Sequence, residues 1–229
     1  MQHQILEKPD FSMVQVQFDA PGEQMICESQ AMVARDSAIQ MKTSMQGGMM
    51  SALKRAALGG ESLFQNTFTA TAPGQRLYIA PAPEGDLECV NMDGYTPIML
   101  SSGAYLGAPP SVTLDTKWGG AKGFFSGAGM FLLKATGTGP LFFSTYGGIH
   151  AIDVGPGGYI CDTSTIVAFT GGLNYNVTRL GGLGGLFFSG EGLVCNFQGQ
   201  GRLWISTRSA RSLVGFIHPY RRVQPRNNG

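Results

Sequence analysis

Apolar and polar residues alternate in short runs along this chain, and turn signals break the runs at intervals of roughly 8–12 residues. Val112-Thr113-Leu114-Asp115-Thr116-Lys117 is one such run. Its alternation puts Asp115 and Lys117 on the same face of a strand. Runs this short and this regularly punctuated predict an all-β chain, built as a sandwich, a barrel or a helical stack. One segment departs from the pattern. In Met49 to Leu58, MMSALKRAAL, residues Met49, Met50, Leu53 and Ala57 fall on one face at helical spacing, and glycine pairs flank the segment. This spacing predicts one short helix over 49–58, with glycine suited to its C-terminal cap.

The strand pattern repeats. Phe124-Phe125-Ser126-Gly127-Ala128-Gly129 returns as Phe187-Phe188-Ser189-Gly190-Glu191-Gly192, 63 residues later (187 − 124). Each copy leads through β-forming residues to a glycine turn, Thr136-Gly137-Thr138-Gly139 or Gln198-Gly199-Gln200-Gly201, and then to more β-formers. A worn copy runs from Leu63 to Ala70, through Pro73-Gly74-Gln75, to Arg76-Leu77-Tyr78-Ile79. Each copy is expected to form a β-hairpin. A second phrase alternates with the first: Pro21-Gly22 to Met25-Ile26-Cys27 parallels Pro156-Gly157 to Tyr159-Ile160-Cys161, and Thr96-Pro97-Ile98 stands between them. Ile26, Ile98 and Ile160 are taken as equivalent. A period near 62 residues means stacked similar units. The expected division is a first β-domain over 1–118, containing the helix, and a second over 119–229 with an arginine-rich tail. Its seam lies near Asp115 to Gly120.

Composition adds limits. The chain has 229 residues, only 14% of them charged, a net charge of +1, and 34 glycines. Low charge with many glycines suits tight turns and surfaces covered by other subunits, because interface cores are depleted of charge. The neutral balance argues against nucleic-acid binding over the whole surface. The charges are uneven, however. After Asp162 the only acid is Glu191, against Arg179, Arg202, Arg208, Arg211, Arg221, Arg222 and Arg226. Arg208, Arg211, Arg221 and Arg222 are the candidate interaction surface: the stretch reads as a solvated last strand and tail or as a basic face for an acidic partner, RNA or anionic lipid, with Arg221, Arg222 and Arg226 forming a trailing arm among prolines. Cys27, Cys89, Cys161 and Cys195 form no CxxC pair, so they are expected to be reduced core thiols in a cytoplasmic protein. The N-terminal MQHQILEKPD has neither a signal peptide's apolar core nor a transit peptide's arginines. No stretch is apolar for the roughly 20 residues a spanning helix needs.

Catalytic chemistry is sparsely supplied. The only histidines are His3, His150 and His218. A cupin-type metal centre needs two or three histidines with a carboxylate, and His150 with Asp153 falls short. Ser126 and Ser189 sit in FFSGxG rather than GxSxG and have no evident histidine base. Gly181-Gly182-Leu183-Gly184-Gly185 matches neither phosphate-binding glycine motif and reads as a connector. The expectation is a non-enzyme with no cofactor and no metal.

Four segments together carry a family resemblance: Gly60-Glu61-Ser62-Leu63-Phe64 with Asn66-Thr67-Phe68-Thr69-Ala70; Leu114-Asp115-Thr116-Lys117-Trp118; Lys122-Gly123-Phe124-Phe125-Ser126-Gly127; and Ser189-Gly190-Glu191-Gly192-Leu193-Val194-Cys195. Over about Val14 to Tyr220 the chain resembles the altered-inheritance-of-mitochondria type 24 family. The resemblance implies a fold like that of the tryptophan RNA-binding attenuation protein, two such β-domains duplicated in one chain, and three chains in a ring. It implies a link to membrane organisation and supplies no catalytic or ligand-binding residues. The resulting expectation is a homotrimeric scaffold acting through protein or membrane-surface contacts. The alternative is a ring that binds RNA or a small ligand, with RNA suggested by fold analogy alone.

Overall fold

A computed structural model describes residues 1–45, 64–115, 132–179 and 193–221. The alternating runs become strands. In β2 (Met13–Gln17), buried Val14 and Val16 alternate with half-buried Met13, Gln15 and Gln17, and in β3 (Gln24–Glu28) Met25 and Cys27 are buried. After an N-terminal strand β1 (Gln2–Leu6), the strands fall into three units with one pairing plan. Six strand positions, a to f, are filled in the first unit by β2, β3, β4 (Met32–Arg35), β5 (Gln40–Met45), β6 (Phe64–Thr69) and β7 (Arg76–Ile79). The middle unit uses β8 (Leu87–Asp93), β9 (Ile98–Ser101), β10 (Tyr105–Ala108) and β11 (Val112–Asp115) as a to d, and the two halves of the long β12 (Leu132–Ser144) as e and f. The last unit uses β13 (Ile149–Val154), β14 (Tyr159–Asp162), β15 (Ile166–Thr170), β16 (Asn174–Arg179), β17 (Leu193–Gln198) and β18 (Gly201–Ser206).

In every unit, a and c pair with f, and b and d pair with e, all antiparallel. The register between c and f slips at the same place each time: Met32/Ala34, Tyr105/Gly107 and Ile166/Ala168. The worn copy seen in the sequence is therefore part of a full unit. The middle unit spans the expected 118/119 boundary, because β12 pairs back onto β8 to β11. The boundary itself and the helix at 49–58 lie outside the described residues, as do both Phe-Phe-Ser-Gly phrases.

The expected hairpins do not form. Positions e and f join different sheets: β6 pairs with β3 and β5, whereas β7 pairs with β2 and β4. The glycine turn is a corner between sheets. Gly74 and Gly199 hold φ of +81° and +102°, which side chains with a Cβ rarely adopt. At Gly137, inside β12, φ is +121° and a Cβ would strike the Ser111 carbonyl oxygen. The middle unit turns the same corner within one continuous strand.

Neighbouring units share sheets. β3 pairs with β10, and β9 pairs with β15, so position b of one unit joins position c of the next. Two six-stranded sheets result, running β8-β12-β10-β3-β6-β5 and β13-β18-β15-β9-β12-β11 and joined through β12. Each shared sheet also completes a core. Leu106 and Phe142 of the middle unit enter the cluster of the first, around Val16, Phe18, Met25 and Phe68. Val167, Ala168 and Trp204 of the last unit enter the cluster of the middle one. Phe143 meets Trp204 edge-on at 5.5 Å between ring centroids. The third cluster holds Phe169 and Phe197, edge-on at 5.0 Å.

The first strands of the units are aligned by two parallel bridges, Phe11 to Gly85 and Gly85 to Gly147. Buried Asp86 ties them together. It accepts from Ser12 Oγ at 3.3 Å, Leu87 N at 2.8 Å and Ile149 N at 3.2 Å, with Lys8 Nζ at 3.6 Å.

Glu28 ends β3 within the first shared sheet. Burial pushes its carboxyl from 4.5 up to about 7. A raised carboxyl value means that ionisation is disfavoured in the folded chain. Its contribution to stability is full below pH 4.5 and is lost as pH rises through about 7. Glu28→Gln should flatten that slope. Urea midpoints at pH 5 and pH 8 should show the unmodified chain losing about 1–2 kcal/mol more than the variant, after allowing for solvent screening of a half-buried group.

Candidate interaction surfaces

Among the described residues, the two ends of the stack of units are unfinished. Inside the chain, positions a-f-c of one unit continue into b-e-d of the unit before it. At the first unit, β4 ends its four-stranded sheet, β1-β2-β7-β4, with no described strand beyond it. At the last unit, β14 ends a three-stranded sheet, β14-β17-β16. These two half-sheets are the two halves of the internal arrangement.

Exposure follows the same logic. The register slip aligns Val33 of β4 with Leu106 and Val167. Leu106 is 0% exposed and Val167 2%, whereas Val33 is 58% exposed. The pairing of b with c aligns Ile160 of β14 with Ile26 and Met99. Met99 is 2% exposed and Ile160 is 58%. Met32 and Tyr159 beside them are also exposed. An edge strand offers its unpaired backbone N–H and C=O groups as a template for another strand, and exposed apolar side chains beside it favour burial there.

The second surface is the arginine-rich end. Beyond β18 it forms a helix rather than the solvated strand the sequence suggested. Ser209 stands at the N-cap of α1 (Ala210–Ile217), and a short 3₁₀ turn, His218–Tyr220, follows. Ala210, Leu213, Val214 and Ile217 fall on one side of α1, with Phe216 flanking them; Arg211, Ser212 and Gly215 lie opposite. No residue of α1 is buried. Val214, Phe216 and Ile217 are exposed, and the Phe216 and Tyr220 rings lie 5.9 Å apart. Arg208 precedes the helix, Arg211 sits in its first turn and Arg221 ends the 3₁₀ turn; all three are exposed. Ser206 Oγ donates to the Arg208 carbonyl at 2.6 Å, which fixes the departure of the chain from β18. Arg222 lies outside the described residues. The sequence carried the helix in its 213, 214, 217 apolar spacing.

The other candidate residues are dispersed. His3, in β1, pairs with Val16 of β2 and packs edge-on against Phe142 at 5.0 Å. Burial lowers its pKa. His150 lies in β13, and Asp153 is bound at 2.8 Å by the Arg202 Nε. Among the described residues no three His, Cys, Asp or Glu side chains form a metal-binding group. The cysteines are free thiols. Cys161 and Cys195 lie directly opposite one another across β14 and β17, a proximity invisible in their spacing. Burial pushes both up to about 12, so neither is a ready thiolate at neutral pH. Ser126, Ser189, Lys117 and the Gly181 to Gly185 run lie outside the described residues. A groove of about 530 Å³ opens beside β8, lined by Asn91, Asp93, Thr96, Arg202 and Trp204 among others. No helix among the described residues is long and apolar enough to cross a membrane.

Comparison with known proteins places these surfaces in a wider group. Residues 3–208 match the family model described as mitochondrial biogenesis AIM24. An uncharacterized protein of Streptococcus pyogenes serotype M6 is 25% identical over 190 residues, covering 82% of this chain and 76% of that protein. A crystal structure of a Streptococcus pyogenes protein superposes with a TM-score of 0.78 at 22% identity, covering 96% of this chain and 99% of the other. That likeness establishes a shared all-β fold.

Proposed function

This chain belongs to the mitochondrial biogenesis AIM24 family, and from that premise we propose that it is a non-catalytic scaffold that associates with copies of itself and contacts an anionic membrane surface. The family resemblance suggests a ring of three chains. The observation that supports the membrane contact is α1, whose apolar side chains stand exposed beside Arg208, Arg211 and Arg221, with no acid between 208 and 221. A helix of this kind lies in the lipid interface, its apolar side in the acyl boundary and its cations among the headgroups. Each arginine near such a surface contributes about 1 kcal/mol. Several copies in one ring would add their contacts on a single surface.

Co-sedimentation with vesicles tests this. Vesicles containing phosphatidylserine should pull the protein down, and neutral phosphatidylcholine vesicles should not. Raised salt, or Arg208→Glu with Arg211→Glu, should abolish the effect. Equal behaviour toward both vesicles would overturn the membrane contact. The same arginines support a second reading, an RNA-binding ring, which salt-dependent capture of single-stranded RNA without vesicle binding would favour instead.

A further inference from the structure

We propose that a cleft at the root of α1 binds a terminal phosphate group, held by Arg208 and Arg211 and by the buried hydroxyl of Ser144. This rests on the anionic-surface contact proposed above and names what that contact recognises. The cleft encloses about 370 Å³, within the roughly 300–1,000 Å³ of small-ligand sites. It opens where the middle and last units meet, between the turn from β9 into β10, the ends of β12 and β18, the start of β15 and the first residues of α1. Half of its lining residues carry a hydroxyl, two are arginines and none is an acid. Such a wall offers donors and positive charge to an anion and no carboxylate to repel it.

Ser144 is the residue that marks the cleft as a site. It is 4% exposed, and its amide donates to the Ala104 carbonyl at 2.8 Å, but its hydroxyl has no hydrogen-bond partner among the described residues. No buried side-chain polar atom among them is both sealed and unpartnered, so this hydroxyl opens to the cleft it lines. A buried hydroxyl left without a partner costs free energy that a ligand oxygen would recover. Ser101 and Ser206 beside it already donate theirs to the Ile166 and Arg208 carbonyls. Arg208 Nη1 donates to the Thr207 carbonyl at 3.0 Å, and among the described residues neither Arg208 nor Arg211 pairs with a carboxylate. The Asp162 carboxylate accepts from the Ser164 amide and hydroxyl at 2.7 and 2.6 Å and does not line the cleft.

The repeats set this seam apart. The register of c with f makes Ile79, Phe143 and Ile205 equivalent. The residues that follow are Ala80-Pro81-Ala82-Pro83 in the first unit, Ser144-Thr145-Tyr146-Gly147 in the middle one and Ser206-Thr207-Arg208-Ser209 in the last. Alanine and proline serve at the first corner, so the corner itself requires neither hydroxyl nor arginine. Two arginines match the nearly two negative charges of a terminal phosphate better than the single charge of a diester. A lipid headgroup or a soluble molecule can carry that group, and the test separates the two.

Vesicles containing phosphatidic acid, whose phosphate is terminal, should bind the protein more tightly than phosphatidylserine vesicles of matched surface charge, whose phosphate is a diester. Ser144→Ala should weaken binding to phosphatidic acid about 10-fold and leave binding to phosphatidylserine unchanged. The change removes an unpartnered hydroxyl, so the urea midpoint should hold. In titration calorimetry, inorganic phosphate should bind the unmodified protein and bind Ser144→Ala more weakly by the same factor. Equal binding to both lipids, unaffected by Ser144→Ala, overturns the cleft and leaves the anionic-surface contact standing. Binding of inorganic phosphate that weakens in Ser144→Ala, without binding to either vesicle, keeps the cleft as a site for soluble phosphate compounds and overturns the membrane contact. Binding of neither vesicles nor phosphate overturns both.

Discussion

Asp86→Ala should cost the fold about 3 kcal/mol or more, measured as a fall in the urea midpoint. Asp86 is buried and accepts from Ser12, Leu87 and Ile149, one group from each unit, with Lys8 at 3.6 Å. Removing the carboxylate strands two backbone amides and a hydroxyl at the one place where the three first strands run side by side. A buried donor left unsatisfied costs more than the bond it once made. Asp86→Asn keeps the volume and one acceptor, so its cost should be smaller, about 1–2 kcal/mol. A loss in Asp86→Ala no larger than that of a surface substitution would show that the hub is not structural.

Ile160→Glu should abolish self-association while leaving the chain folded. In the isolated chain Ile160 is 58% exposed, so a carboxylate there meets water. In a junction between copies built like the second internal seam it takes the place of Met99, which is 2% exposed there; Ile26, its counterpart at the first seam, is half-buried. Burying an unpaired charge costs several kcal/mol, and about 3 kcal/mol already weakens association roughly 100-fold. A ring with one such seam per chain should fall apart into folded 24.3 kDa chains on size-exclusion chromatography. Val33→Asp, on the opposite side of the seam, should do the same. The double variant should add little, because both changes break one contact. An oligomer unchanged by either variant would place the interface elsewhere.

The strands and repeats were legible because both are local patterns. Alternation marked β2 and β3, and the glycine phrases marked every e-to-f corner. Which sheet a strand joins was not legible. A β-run, a glycine turn and a second β-run describe a hairpin and a corner between sheets equally well, and only distant pairings decide between them. The alignment of Ile98 with Ile26 and Ile160 was one residue off: the shared register makes Met99 the equivalent position. The slip has a physical source. All four residues of β9 are buried, each face against a different unit's core, so the strand carries no alternation to fix its phase. The arginines were visible as a candidate surface, but α1 was missed because Val214 and Phe216 also alternate as in a strand. The exposed pair Val33 and Ile160 had no signature at all. They look like their buried equivalents, and only the end of the internal stack leaves them bare.

The central claim is that this stack of three units is completed by other copies of the same chain. Sedimentation equilibrium of the unmodified protein across micromolar concentrations tests it most directly. A single species at a whole multiple of 24.3 kDa, three chains by the proposed ring and constant with dilution, is the expected result. A folded species of 24.3 kDa at every concentration would contradict it.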